Sequence, residues 1–542
     1  MNRNSSFFWL SVIAFLTFLL FQFGPAWFGE YEPGKPHLIE RTEAAPIAER
    51  FLAERYGLDG PFDAFAMYQA EREAYGYLDR EALLPAFRTW EASLPLDYYT
   101  VELMEPNGVS RHYVDVNPYT GEVVEWSVEL GEGEGGGAAA AEPEAAESAA
   151  SALEELGFTE VFLLHYDKEA GQARFAVDGL ALGEARAQAA VRMDGGTVGA
   201  VRLDWIVPDA YVAEVAQQDA YGAWLGSIGF MLSAALQFAA VIYVLLKAGD
   251  ARFRRGLFLA FAFAVLYIWT NFNMLPAVKS AVLGLGAWEA ASASDEGSVL
   301  VGVIINLILA NAVIMLLGVG TYFSLVAGDT MFRRSGARKP WLEWKDRDYG
   351  AHVVQAARKG YGFAFIILGL QAVLFWGAER FFDSWYTIDA SNSSYSMLFP
   401  LLMPVLAWCA AISEEAVYRM FGIPAFRKLF RFTAPAVLLT GVVWALGHVQ
   451  YPIYPFYTRL VEVTVIGILF GYIFLRHGFI TAVYAHAIVD SIWFSLSVLA
   501  PPAAGVDLLA GLGYVLFPLA LAHIIALLHR NCKRRGMVEP PS

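Results

Sequence analysis

Apolar positions along this chain gather into long unbroken stretches that recur from one end to the other. A hydrocarbon layer about 30 Å thick is crossed by roughly 20 such residues in a helix, which satisfies its own backbone N–H and C=O groups where no water can. The pattern predicts about ten spans, at residues 7–28, 224–246, 257–275, 299–326, 361–377, 397–412, 434–448, 460–475, 479–499 and 508–528. The expected fold class is therefore an all-α polytopic membrane helix bundle. The first stretch sits where a secretory leader would. Its apolar run is long and no small-x-small cleavage site follows, so residues 1–28 are expected to be a retained anchor.

The loops orient the bundle, because short cytoplasmic loops collect Lys and Arg. Lys247, Arg252, Arg254 and Arg255 share one connection, and Arg333, Arg334, Arg338, Lys339, Lys345 and Arg347 another. Arg427, Lys428 and Arg431 follow, then Arg476, and finally Arg530, Lys533, Arg534 and Arg535. Alternate connections are poor in basic residues, including the one with Glu289, Asp295 and Glu296. This alternation places both termini in the cytoplasm of a bacterial-type plasma membrane and residues 29–221 outside it.

In that outer region the periodicity changes to helix followed by alternating strands, which predicts an inserted α+β region of two similar modules. Module one, 29–130, has a helix at 45–56 and strands at 98–104 and 111–116. Module two, 151–221, has a helix at 146–156 and strands at 161–166, 174–177 and 189–193. Between them, 131–150 is rich in Gly, Ala and Glu and reads as a flexible linker. Asp115 and Asp194 look like turn residues of hairpins, not calcium ligands. The strand, turn and strand from Tyr113 through Asn117, Pro118 and Gly121 to Val124 resembles the hairpin of PepSY domains, small extracytoplasmic modules linked to peptidases.

Of the 542 residues only 17% are charged and 57% are hydrophobic, which makes lipid a necessary part of the solvent. A net charge of −16 excludes a nucleic-acid partner, since phosphate binding needs a basic face. Cys409 and Cys532 are too few and too distant for a disulfide framework.

Ionisable residues inside apolar spans are costly, so each is a functional candidate. Three groups stand out: Glu414, Glu415 and Arg419; Trp444 and His448; His486 and Asp490. Residues four apart share a helix face while adjacent ones diverge by about 100°. Glu415 is thus expected to pair with Arg419, Glu414 to point elsewhere, and His486 and Asp490 to face one point. Glu414 and His448 flank the basic turn at Arg427–Arg431 at nearly equal distances, so a hairpin would bring them level. The expected convergence is from the cytoplasmic side, with Pro424 a candidate to end the helix early. Asn271, Asn273, Asn306 and Asn311 are expected to bond between helices.

In that order on successive helices, the three motifs resemble the CPBP family, the type II CAAX prenyl endopeptidases and bacteriocin-processing or immunity proteins. The resemblance covers roughly 361–530, leaving 222–360 as further membrane helices with a basic loop and 531–542 as a cytoplasmic tail. It implies an intramembrane (metallo)endopeptidase that hydrolyses a peptide or membrane-protein substrate with an activated water. Glu414 would be the general base, His448 would orient the water, and His486 and Asp490 would stabilise the oxyanion or hold a metal. Glu415 and Arg419 would support the first helix.

Trp444 stands where Phe is usual, a change expected to affect packing only. Asp490 stands where Asn is usual, and an ionised carboxylate would repel an oxyanion. Either Asp490 is protonated, or His448, His486, Asp490 and Glu414 hold Zn²⁺ with an open water position. Two rival functions are a catalytically inactive scaffold or immunity protein, and a proton-coupled transporter relaying through Glu414, His448 and His486.

Overall fold

The computed structural model describes residues 3–27, 39–106, 110–130, 142–194, 196–284, 286–292, 296–336, 341–499 and 506–534. The chain is mostly helical, and a membrane bundle carries an eight-stranded antiparallel sheet on one side.

Among the described residues, eight helices are long and apolar enough to cross a membrane. They are Ser5–Gly24, Asp209–Leu246, Gly297–Arg334, Tyr349–Phe382, Pro400–Phe430, Tyr457–His477, Phe479–Leu496 and Leu508–Arg534. The other two expected spans fall short for separate reasons. Leu257–Asn273 breaks into Leu275–Leu283 with a bend of 52°, a broken span or a re-entrant loop. Thr433–Leu446 has 14 residues, about 21 Å of helix against a layer of about 30 Å. Asn271 does bond Asn311 across two helices at 3.1 Å, as expected, while Asn306 bonds the Gly302 carbonyl of its own helix.

Pro424 does not end its helix. Val405–Glu414 runs into a π-helical turn, Glu415–Gly422, and then into Ile423–Phe430. Proline there sits in the first turn of the resumed α-helix, where its missing N–H costs least. Asn273 ties the start of this span to the broken helix: its Oδ1 accepts from Phe399 N at 2.7 Å and its Nδ2 donates to the Phe399 carbonyl at 3.1 Å.

The sheet has eight strands: β1 (Asp63–Ala70), β2 (Asp97–Met104), β3 (Arg111–Val116), β4 (Val123–Ser127), β5 (Val161–Asp167), β6 (Gln172–Leu182), β7 (Ala185–Asp194) and β8 (Thr197–Ile206). Their order, β1-β2-β3-β4-β8-β7-β6-β5, joins the two halves of the outer region edge to edge through Trp126 opposite Val201. Of the expected linker, 131–141 lies outside the described residues, and 142–150 is the first part of the helix Glu142–Glu155.

Strand alternation explains how the sheet is held. Tyr99, Val101, Val114 and Trp126 point to one face, with Ala44, Ala48 and Leu52 of helix Arg41–Tyr56 and Leu153 of Glu142–Glu155 in the same core. Their neighbours Glu102, Asp115 and Glu125 must then point to the other face. That face meets the membrane bundle, where Tyr113 packs with Leu283, Ala287 and Ala290. Glu102 pairs there with Lys279.

A second attachment involves the helix Arg72–Arg80. Arg72 pairs with Asp219 at 3.0 Å, and Asp79 Oδ2 accepts from Tyr386 N at 2.8 Å. Tyr386 belongs to a two-stranded ribbon, Trp385–Tyr386 with Ile453–Tyr454, and Trp385 stacks on Tyr454 at 4.3 Å.

Candidate active site

Small residues bring the backbones of this site close. Gly467 lies where a Cβ would be 2.8 Å from Gly441 Cα, so the helices carrying Trp444 and Phe470 pack backbone to backbone. At Gly229 on Asp209–Leu246, a Cβ would be 2.7 Å from Leu446 Cβ and 2.9 Å from Gly447 N. Any larger residue there would push away the segment that carries His448.

Glu415 and Arg419 pair at 3.0 Å in the π-helical turn and are essentially unexposed. The Arg419 guanidinium lies over Trp444 at 4.4 Å and over Phe470 at 5.0 Å. One π turn adds a residue to the helical circuit, a feature often found at functional sites.

His486 sits among three carboxylates. Its Nδ1 is 2.9 Å from Glu415 Oε1, and its Nε2 is 3.4 Å from Asp490 Oδ2 and 3.7 Å from Glu414 Oε2. Phe470 stacks on the ring at 4.8 Å. His486 itself is 5% exposed, whereas Glu414 at 24% and Asp490 at 25% open into a cavity of about 1150 Å³. The structure thus gathers Glu414, Glu415, Arg419, His486 and Asp490 from two helices.

His448 lines the same cavity one turn beyond Trp444. Its Nδ1 bonds the Trp444 carbonyl at 2.9 Å, which requires the proton on Nδ1 and leaves Nε2 as an acceptor. The level partner of Glu414 is Trp444, whose indole Nε1 donates to Glu414 Oε2. This corrects the expectation that Trp in place of Phe alters packing only, since Phe has no donor.

The sequence reading passed over a second polar network in the cavity wall. Trp493 Nε1 donates to Gln371 Oε1 at 3.1 Å, Gln371 Nε2 to Glu462 Oε1 at 2.8 Å, and Arg459 to Glu462 Oε2 at 2.6 Å. Arg459 lies over Tyr451 at 4.8 Å, and Tyr451 stacks on His448 at 5.6 Å and 13°. Arg459 and Glu462, three apart in an apolar span, carried the same signal as Glu414 and Glu415.

Among the described residues no group of three or more His, Cys, Asp or Glu is arranged to hold a metal ion. The zinc expectation on His448, His486, Asp490 and Glu414 therefore lacks a ready donor set. His448 is turned to its own helix, and Glu414 and Asp490 stand against the same nitrogen of His486.

The bundle and these side chains define a polytopic membrane protein with an acid–imidazole cluster inside it. Residues 396–492, which include all six of the predicted site residues, match the family model for Type II CAAX prenyl endopeptidase Rce1-like proteins. The match supports a membrane protease at the level of the family, and the sheet lies outside it. No curated protein and no solved structure matches the chain.

Proposed function

We propose that this protein is an intramembrane endopeptidase that hydrolyses a peptide bond with a water activated by Glu414. The observation that carries the reading is a partly open carboxylate held by Trp444 and His486 at the floor of a largely apolar cavity. Trp444 and His486 both address Oε2 of Glu414, so Oε1 is the oxygen left for a water.

In the proposed step, Glu414 takes a proton from that water as its oxygen bonds to the scissile carbonyl carbon. The carbonyl electrons move to oxygen, and the C–N bond breaks as the amine leaves with the proton that Glu414 gives back. The acceptor Nε2 of His448 orients the water from above. His486 donates toward the developing oxyanion, and Asp490 holds its ring at the angle required. Glu415 and Arg419 position His486 without meeting the substrate.

By the bias of basic residues, the side carrying Arg427–Arg431 and Arg530–Arg534 is proposed to be cytoplasmic and the sheet extracytoplasmic. PepSY-like hairpins in the sheet fit a role in substrate handling there.

The test is cleavage of a quenched fluorogenic peptide panel by purified, detergent-solubilised protein, with products identified by mass. The wild type is expected to cut at one bond. Glu414→Ala and His448→Ala are expected to lose turnover by about 10²–10⁴ while keeping wild-type circular dichroism. Undiminished cleavage in either variant removes that residue from the chemistry.

A further inference from the structure

The helices that wall the Glu414 cavity contribute to it unevenly. Tyr349–Phe382, which ends beside the Trp385–Tyr386 ribbon strand, lines it from Ile367 to Glu379, the ribbon-side half. Tyr457–His477, which starts from the same ribbon, lines it from Arg459 and stops at Phe470. Phe479–Leu499 runs the opposite way and joins only at His486, continuing to Phe494. The short helix Thr433–Leu446 joins only at Trp444, and the first helix from Phe18 to Gln22.

The cavity continues about one turn beyond Glu414, to Gln237, Phe263, Thr321 and Tyr418, and past that level, toward the basic turns, the bundle is solid. Met420, Ile423, Ile473, Phe474, Phe479 and Ala482 are all 3% exposed or less. At the other end the cavity reaches Tyr386, Asp389, Asn392 and Ile453, in the ribbon and loop that dock against the sheet's helix Arg72–Arg80. Its walls are large and apolar, with Phe230, Phe263, Phe375, Trp376 and Trp493 among them, and its rim is polar.

We infer that the site is reached from the sheet side of the bilayer, through the ribbon, and not from the side of the basic turns. The substrate is a polypeptide whose scissile segment lies on the sheet side and carries large apolar side chains. This route is the opposite of the expected convergence from the cytoplasmic side. The nature of the substrate rests on the peptidase reading, but the route stands on the cavity alone.

Thiol labelling in sealed vesicles tests the route without using activity. Ser413 lines the cavity next to Glu414 and is placed in a Cys409→Ala background as Ser413→Cys. Gln450→Cys, nearer the rim, serves where Ser413→Cys expresses poorly. Native Cys532, on the last helix near the basic tail, reports that side of the membrane, and Asp178→Cys, exposed on the sheet, reports the other. A membrane-impermeant cationic methanethiosulfonate is expected to modify Ser413→Cys from the side that reaches Asp178→Cys and not from the side that reaches Cys532. Modification from the Cys532 side, from both sides or from neither overturns the inference. A protein that labels as expected but cuts no peptide keeps the route and loses the peptidase.

Discussion

Two regions of this molecule bury clusters of carboxylates, and they neutralise them by different means. In the bundle, Glu414, Glu415 and Asp490 are met by Arg419, His486 and the Trp444 indole. In the sheet, Asp115 and Glu125 are fully buried beside Glu71, and their partners are neutral. Ala287 N donates to Asp115 Oδ2 at 2.7 Å, Leu203 N to Glu125 Oε1 at 3.0 Å, and the Tyr98 hydroxyl to Glu71 at 2.7 Å. Arg202 pairs instead with Asp204 at 2.8 Å and Glu289 at 3.0 Å. A buried acid without a cation keeps its proton to higher pH. Burial pushes Asp115 up to about 7, and burial together with Asp115 raises Glu125 well above the usual carboxylate range. Acids facing cations are suited to chemistry, and acids facing amides and phenols to a docking surface whose stability depends on pH.

The comparison is broken most severely at His486. His486→Ala leaves Glu415 with Arg419 alone and takes from Asp490 the imidazole it faces, and turnover is expected to fall by about 10²–10⁴ in the peptide assay. A variant that retains most of its turnover would dissolve the bundle cluster as a working unit.

Trp444→Phe restores the residue common in the resembled family and deletes the donor to Glu414. A hydrogen bond to a charged group is worth about 1.5–3 kcal/mol, so kcat/KM is expected to fall roughly 10- to 100-fold with little change in fold. An unchanged kcat/KM would return Trp444 to a packing role. Gly229→Val must displace Leu446 and Gly447, and is expected to lower kcat more than it raises KM by moving His448.

At the sheet the expected effect is smallest and concerns pH. An Asp carboxyl ionises near 3.9 in an unfolded chain and Asp115 near 7 when folded. The docked state then holds the extra proton, so its stability is fullest below about pH 4, declines between about pH 4 and 7 and levels off above. Hydrogen exchange in Gly286–Ser292, corrected for intrinsic rates, is expected to show that decline in the wild type and a flatter profile in Asp115→Asn. Identical profiles would sever Asp115 from the docking.

These contrasts also explain what could be read from residues alone. His486 with Asp490 and Glu415 with Arg419 were legible because a four-residue spacing in an apolar helix leaves little choice of neighbour. The π-helical turn was not, since no residue pattern marks it. Asp115 was mistaken for a turn residue because its burial comes from Ala287, 172 positions away. The pairing of β4 with β8 is hidden for the same reason, and the outer strands read as two modules although they form one sheet. Distances from the basic turns give depth but not which helix ends are packed solid, so the residues alone do not show toward which end the cavity extends.

The most direct measurement sets the two clusters against each other in one assay. Peptide cleavage by Glu414→Gln and by Asp115→Asn is compared with the wild type at neutral pH, each variant shown folded by its melting curve. A loss of at least about 10² is expected in Glu414→Gln, with near wild-type turnover in Asp115→Asn. Persistent cleavage by Glu414→Gln, with turnover lost instead in Asp115→Asn, would contradict the role proposed for Glu414.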